Sequence, residues 1–240
     1  MKSIITIPAY KVNLTEFEKV SFVQCCKILS GHDFSLVCPE DLEVVEYEKI
    51  LNEFGVKYSI ERFDKSYFKN LRGYNLLMLS ADFYTRFSSY EYMLIYQLDA
   101  YVFRDELDYW CEKGYDYIGA PWIGRMAFLH TGMKKLKPGE NGGFSLRKVS
   151  SCIQVLGLKE GDTKILADYI KSGKNEDGFF SLHATKIDPA FKVAPLDVAM
   201  HFSFERKPET LYQLTGEKLP FGCHAWAKYN PRFWKKFINS

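Results

Sequence analysis

Four groups of residues in this 240-residue sequence have the types and spacing for chemistry. One is Asp99, the single acid in the apolar and aromatic run YMLIYQLDAYVF. The others are Asn141, Gly142 and Gly143 at the head of NGGFSLR, the paired acids Glu176 and Asp177 in NEDGFF, and His224 in LPFGCHAW. An ionised carboxylate taken out of water must be paired or bound to a cation. At the end of a buried strand, Asp99 is placed to hold a divalent cation that also binds phosphate oxygens; capping a nearby helix or pairing with Arg104 explains it equally. Two glycines ahead of a strand permit close approach by a ligand, or make a simple turn. Acids that open a helix are favoured by its dipole whatever the function, and a histidine among aromatic residues is commonly a satisfied structural one.

The elements that must carry these residues follow from the hydrophobic pattern. SIITIP reads as a first buried strand and FSLVCP as a second, with VKYSIERF as a third. Thr15 and Glu18 form a capping box that opens a helix between the first two strands. Val44, Tyr47, Leu51 and Phe54 mark the apolar stripe of the next helix. Strands alternating with helices predict a parallel α/β sheet. YNLLMLSADFYTRF reads as one further helix leading into the Asp99 strand, whose unbroken apolar character fits a sheet covered on both faces. Thereafter come a short helix ended by Gly114, the strand YDYIGAPW, a long Gly- and Lys-rich stretch from Pro121 to Gly143, the strand GFSLR, helices near 148 and 165–170, and NEDGFF. Ligands of open α/β sheets sit at the carboxyl ends of the strands, which is where Asp99 emerges.

Composition narrows the classes. Thirty-two basic and 30 acidic residues leave a net charge of +2, so no global nucleic-acid footprint exists. No apolar run reaches the ~20 residues of a membrane span, and the N-terminus, broken by Pro8, does not read as a signal peptide. Six cysteines without a CxxC pair suit buried thiols in a reducing cytosol. The aromatic share of 16% adds weight to carbohydrate or nucleotide handling, since such rings stack on sugars and bases.

Taken in order, the strand ending in Asp99, YDYIGAPW, NGGFSLR, the acid pair and the late FGCHAW resemble a GT-A-fold glycosyltransferase, and more narrowly the glycosyltransferase-like DUF5672 family. The resemblance runs from about Tyr74 to Trp226, with earlier residues matching in topology. It implies one α/β GT-A-like domain over 1–240, with a Rossmann-like nucleotide-binding half (1–103), a mixed central sheet and a less regular acceptor half (104–240). It implies that Asp99 matches the first acid of a D-x-D element, while Tyr101 occupies the second, and that Asp99 and His224 hold Mn²⁺ or Mg²⁺. Pro8, Ala9 and Tyr10 then match the loop cradling the nucleotide base, with Lys69 and Arg72 helping to neutralise the diphosphate. Asn141, Gly142 and Gly143 match the segment beside the sugar pocket. Asp177 matches the catalytic base of inverting members, with Glu176 supporting it. Trp122 and Trp226 serve as sugar-stacking platforms or pack in the core.

The partners so implied are a nucleotide-sugar donor and a glycan or lipid-linked glycan acceptor, with no nucleic acid. The tail NPRFWKKFINS mixes basic and aromatic residues in a pattern compatible with an anionic lipid surface, or with a terminal helix packed on the domain. The location so expected is cytoplasmic, and the lipid alternative places it at the inner membrane face. A noncatalytic nucleotide-sugar or carbohydrate-binding module on the same scaffold is the competing function. A Rossmann dehydrogenase is excluded, because PAYKVN stands where G-x-G-x-x-G would be needed.

Overall fold

The computed structural model describes residues 2–122, 140–157 and 163–238. The N-terminal half follows the expected alternation: β1 (Ser3–Pro8), α1 (Glu16–Ile28), β2 (Asp33–Pro39), α2 (Val45–Glu53) and β3 (Tyr58–Phe63). The capping box of α1 is formed, with the Thr15 N–H donating to Glu18 Oε2 at 2.8 Å and the Glu18 N–H to Thr15 Oγ1 at 3.4 Å. The helix expected before the Asp99 strand is two helices, α3 (Leu71–Met78) and α4 (Ala81–Thr85). Extended backbone at Ser80 breaks it, and the Tyr84 hydroxyl donates to the Met78 carbonyl across the gap at 3.1 Å.

Next come β4 (Tyr92–Tyr96), β5 (Tyr101–Val102), α5 (Leu107–Glu112), β6 (Tyr117–Pro121) and β7 (Glu140–Lys148). The second half continues with α6 (Val149–Leu156), α7 (Thr163–Ser172), α8 (Glu176–Leu182), α9 (Ala184–Ile187) and α10 (Leu196–Phe202). It ends with β8 (Ser203–Phe204), α11 (Pro208–Leu214), β9 (Gly222–Cys223) and α12 (Pro231–Trp234). Most of the stretch from Pro121 to Gly143 that sequence marks as a long loop lies outside the described residues. Its last four residues already belong to β7, so the Asn141–Gly143 segment is strand rather than turn.

The main sheet has the order β3-β2-β1-β4-β7-β6, parallel through its first four strands and antiparallel where β7 meets β4 and β6. It is the expected mixed sheet of a single α/β domain. Successive residues of one strand point to opposite faces. Ile5, Ile7, Leu94 and Tyr96 accordingly enter a core under α1 and α2, whereas Ile4, Met93 and Ile95 enter a second core on the other face. Each fully buried side chain of this kind contributes about 1.5–3 kcal/mol. A small sheet, β5-β9-β8, gathers a third core around Tyr101, Cys223, Trp226, Phe233 and Trp234. All six cysteines are buried free thiols.

The third core decides the character of the tail. Phe233 and Trp234 point inward at 5% and 0% exposure, so the aromatic residues expected to rest on lipid are spent on packing α12 against the domain. Among the described residues no helix is long and apolar enough to cross a membrane.

Candidate functional site

Strand order reverses between β1 and β4, since β2 lies on one side of β1 and β4 on the other. Chains leaving such neighbours part to opposite faces and open a crevice. A cavity of about 400 Å³ lies there, lined among others by Pro8, Tyr10, Lys69, Tyr74, Gln97 and Asp99. Tyr10 is 53% exposed, with Lys11 Nζ over its ring at 5.4 Å. The structure therefore brings Pro8, Tyr10, Lys69 and Asp99 together as sequence suggests. Three companions are elsewhere. Ala9 is fully buried, its N–H donating to the Val37 carbonyl at 2.9 Å, so it does not line the cavity. Arg72 borders a separate, smaller cavity with Asn75 and Lys174. Tyr101 turns into the third core, its ring 5.3 Å from Phe103 and 6.2 Å from Trp226. β5 pairs with β9 there, and that pairing directs the side chain away from the cleft.

Asp99 is not inside a strand. It stands three residues beyond Tyr96 with its side chain 48% exposed, facing His224 rather than Arg104. His224 Nε2 lies 3.1 Å from Asp99 Oδ1 and 3.1 Å from Gln97 Oε1, while Nδ1 lies 3.3 Å from Glu205 Oε1. Burial opposes charge on the imidazole, but the hydrogen bonds and charges of Asp99 and Glu205 outweigh it and raise its pKa to about 9. Burial likewise works against the Asp99 carboxylate, yet His224, with Lys228 adding its charge, holds its pKa below the usual value.

Glu205, Gln97 and Lys228 escaped the sequence analysis. Glu205 is an unmarked acid directly after β8, and only the fold brings it to His224. Lys228 offered a weak signal, four residues after His224 in HAWAK.

The acid pair divides its labour. Glu176 is buried and reaches the fully buried Arg147, with Nη2 3.0 Å from Oε2 and 3.1 Å from Oε1. Arg147 also donates to the Tyr84 hydroxyl at 2.7 Å and to Ser145 Oγ at 3.1 Å. Glu176 is thus an internal anchor, not a group free to meet substrate. Asn75 accepts the Glu176 N–H at 3.2 Å, and the Tyr169 hydroxyl donates to the Asn175 carbonyl at 2.6 Å, so α3, α7 and β7 all fix the start of α8. Asp177, next in the chain, faces a second cavity of about 650 Å³ together with Trp122, Asn141 and Glu205.

The helix dipole was expected to favour ionised Asp177, and a Gly178 N–H does reach Oδ1 at 2.7 Å. Burial and the neighbouring Glu176 charge prevail over it and raise the Asp177 pKa to about 7.

Gly142 and Gly143 do permit close approach, but of protein groups. A side chain at Gly142 would collide with the Glu176 carboxylate and crowd the Arg147 guanidinium; one at Gly143 would strike the His224 ring. Trp122 borders the second cavity. Trp226 is core: 4% exposed, its Nε1–H donates to Ser21 Oγ at 2.8 Å and its ring meets Phe17 edge-on.

A divalent cation fits Asp99 and His224 in its donor set. One carboxylate oxygen and one imidazole nitrogen face each other, and Glu205 on the second ring nitrogen is the outer partner that commonly orients a metal-ligating histidine. Glu205 sits behind the ring, and among the described residues no three His, Cys, Asp or Glu side chains converge on one point. Further ligands would have to come from phosphate oxygens and water.

Comparison with known proteins agrees with this frame. The family model of a protein of unknown function (DUF5672) matches residues 57–224. Among solved structures, mouse xyloside xylosyltransferase 1 superposes with a TM-score of 0.57 at 14% identity, covering 93% of this chain and 97% of its own. The glycosyltransferase GlyE of Streptococcus pneumoniae TIGR4 gives 0.52 at 14% identity over 94% of this chain, which spans only 54% of GlyE. Core-mannan synthase A of Aspergillus fumigatus, in its Mn/GDP form, gives 0.53 at 10% identity over 80% of this chain and 72% of its own. At these identities the likeness establishes the GT-A fold. No curated protein sequence matches the chain.

Proposed function

Since this chain belongs to the DUF5672 family and has the GT-A fold, we propose that it is a glycosyltransferase, moving a sugar from a nucleotide-sugar donor to a glycan or lipid-linked glycan acceptor. One observation carries the proposal. A single imidazole links the linings of the two cavities: His224 touches Asp99, which lines the first, and Glu205, which lines the second. A donor in the first cavity and an acceptor in the second would then face each other at that ring.

Tyr10 stacks on the base, and Lys69, Lys228 and protonated His224 lie on the side where the diphosphate leaves. A divalent cation on Asp99 and His224, when bound, would supply further neutralisation of the diphosphate; His224 would then be a neutral ligand. Asp177 accepts the proton of the acceptor hydroxyl. The hydroxyl oxygen bonds to the anomeric carbon as the bond from that carbon to the diphosphate oxygen breaks, and the electron pair departs with the diphosphate. A pKa near 7 suits a general base working near neutrality. One displacement inverts the anomeric centre, so an α-linked donor gives a β-linked product. Trp122, beside Asp177, offers the acceptor a ring face.

The noncatalytic alternative draws support from Tyr101, whose burial leaves Asp99 as the sole acid of its motif. Donor turnover by the purified protein separates the two. Proton NMR of the anomeric coupling in the product then tests the mechanism: an α-linked product from an α-linked donor would remove Asp177 from its role.

A further inference from the structure

We propose that the acceptor entering the second cavity carries an anionic substituent, a carboxylate or a phosphate, held by Lys174 and Arg206. The inference rests on the glycosyltransferase reading and adds the acceptor's charge to it.

A neutral sugar needs a ring platform and hydrogen-bonding groups, and Trp122, Asn141 and Asp177 already supply both in this cavity. Its lining also includes two cations that such a sugar would not require. Lys174 comes from the residue pair just before α8, and Arg206 follows β8, so separate elements deliver them to one cavity.

Among the described residues their counter-charges are missing. Among the described residues neither cation makes an ion pair with a carboxylate. Arg206 lies over the Tyr229 ring at 5.3 Å and donates to its hydroxyl at 3.3 Å, contacts that orient the guanidinium without neutralising it. The acids of the same cavity face other partners: Glu205 meets His224, and Asp177 Oδ1 accepts the Gly178 N–H.

The charge of Lys174 is felt within the cavity: His183, also in the lining, has its pKa lowered by burial first and then by Lys186 and Lys174. Both cations are exposed, so salt should screen their pull.

The test uses the full chain with saturating nucleoside diphosphate, which keeps charged probes out of the first cavity. Lactose, its 6′-carboxylate and its 6′-phosphate are titrated, with NMR signals of Trp122 and His183 reporting occupancy of the second cavity. The charged sugars should bind about ten-fold tighter than lactose, the advantage should shrink in 0.5 M salt, and Lys174→Ala/Arg206→Ala should abolish it without changing the melting temperature. A gain confined to the carboxylate or to the phosphate identifies the substituent.

Equal affinities for all three, no binding by any, or a preference that survives the double variant would overturn the proposal. So would signals confined to Tyr10 and Asp99, which would mark the donor cleft. A charged-sugar preference in a protein that binds no nucleoside diphosphate and turns over no donor would overturn the glycosyltransferase reading alone.

Discussion

His224 stands between two acids, its Nε2 3.1 Å from Asp99 Oδ1 and its Nδ1 3.3 Å from Glu205 Oε1. The imidazole is thus gripped from both sides, and each acid lines a different cavity.

Removing one side of that grip should separate function from folding. The Asp99 side chain is half exposed and belongs to no core, so Asp99→Ala should fold normally and lose nucleotide-sugar turnover by at least about 100-fold, as loss of a group that neutralises transition-state charge does. Chelator should inhibit the wild type reversibly if a divalent cation occupies this place. Full activity in EDTA would leave charge neutralisation to Lys69, Lys228 and protonated His224.

The pH profile should report Asp177. A base must be ionised to act, so kcat/KM should rise through about pH 7 and level off above it. The Glu176 charge is one of the causes holding that pKa up; Glu176→Gln should therefore move the limb to lower pH while transfer persists. Asp177→Asn should cost about 10²–10⁴ in turnover and leave donor affinity near that of the wild type. A limb unmoved by Glu176→Gln would show that another group titrates.

The histidine should also leave a mark on stability. In the metal-free protein its folded pKa lies near 9, above an ordinary 6.5, so its protonated form is favoured by folding. That contribution is complete below about pH 6.5 and disappears as pH rises through about 9. Denaturant melts of wild type and His224→Gln should differ most at pH 6 and converge by pH 10. A gap independent of pH would mean that the ring is held neutral.

Gly143 offers a steric test. Alanine there places a methyl against the His224 ring, and the rigid β7 backbone leaves the ring to move. Gly143→Ala should destabilise by about 1–3 kcal/mol, as overpacking does, and reduce turnover beyond what the stability loss explains. Wild-type turnover in a folded Gly143→Ala would show that the ring's position is unimportant.

Much of the scaffold was legible because periodicity and capping act locally. The strand that delivers Asp99 is apolar on both faces, as a covered sheet demands, and Thr15 with Glu18 announced α1. Tyr101 is a different case: its neighbour Asp99 lines the first cavity, and only the pairing of β5 with β9 decides that the Tyr101 ring turns inward. Of the two readings left open for Trp226, packing in the core is the one that holds. The pair Glu176–Asp177 was visible as a motif, but which acid stays free depends on Arg147, 29 residues away in sequence. A charge at the end of FSLR was the available hint, since a strand buried on both faces cannot keep a guanidinium without a partner. Glu205 carried no hint at all.

One consequence of the sheet order concerns the chain as it is made. The place beside β4 belongs to β7, which begins at Glu140 and so leaves the ribosome well after Tyr96. Until then a nascent chain with β1 to β4 assembled would present Met93, Leu94, Ile95 and Tyr96 along an open strand edge. Unpaired apolar edges of this kind recruit other strands. Newly made chains stalled between these two points are the species for which chaperone protection, or aggregation in its absence, should be greatest.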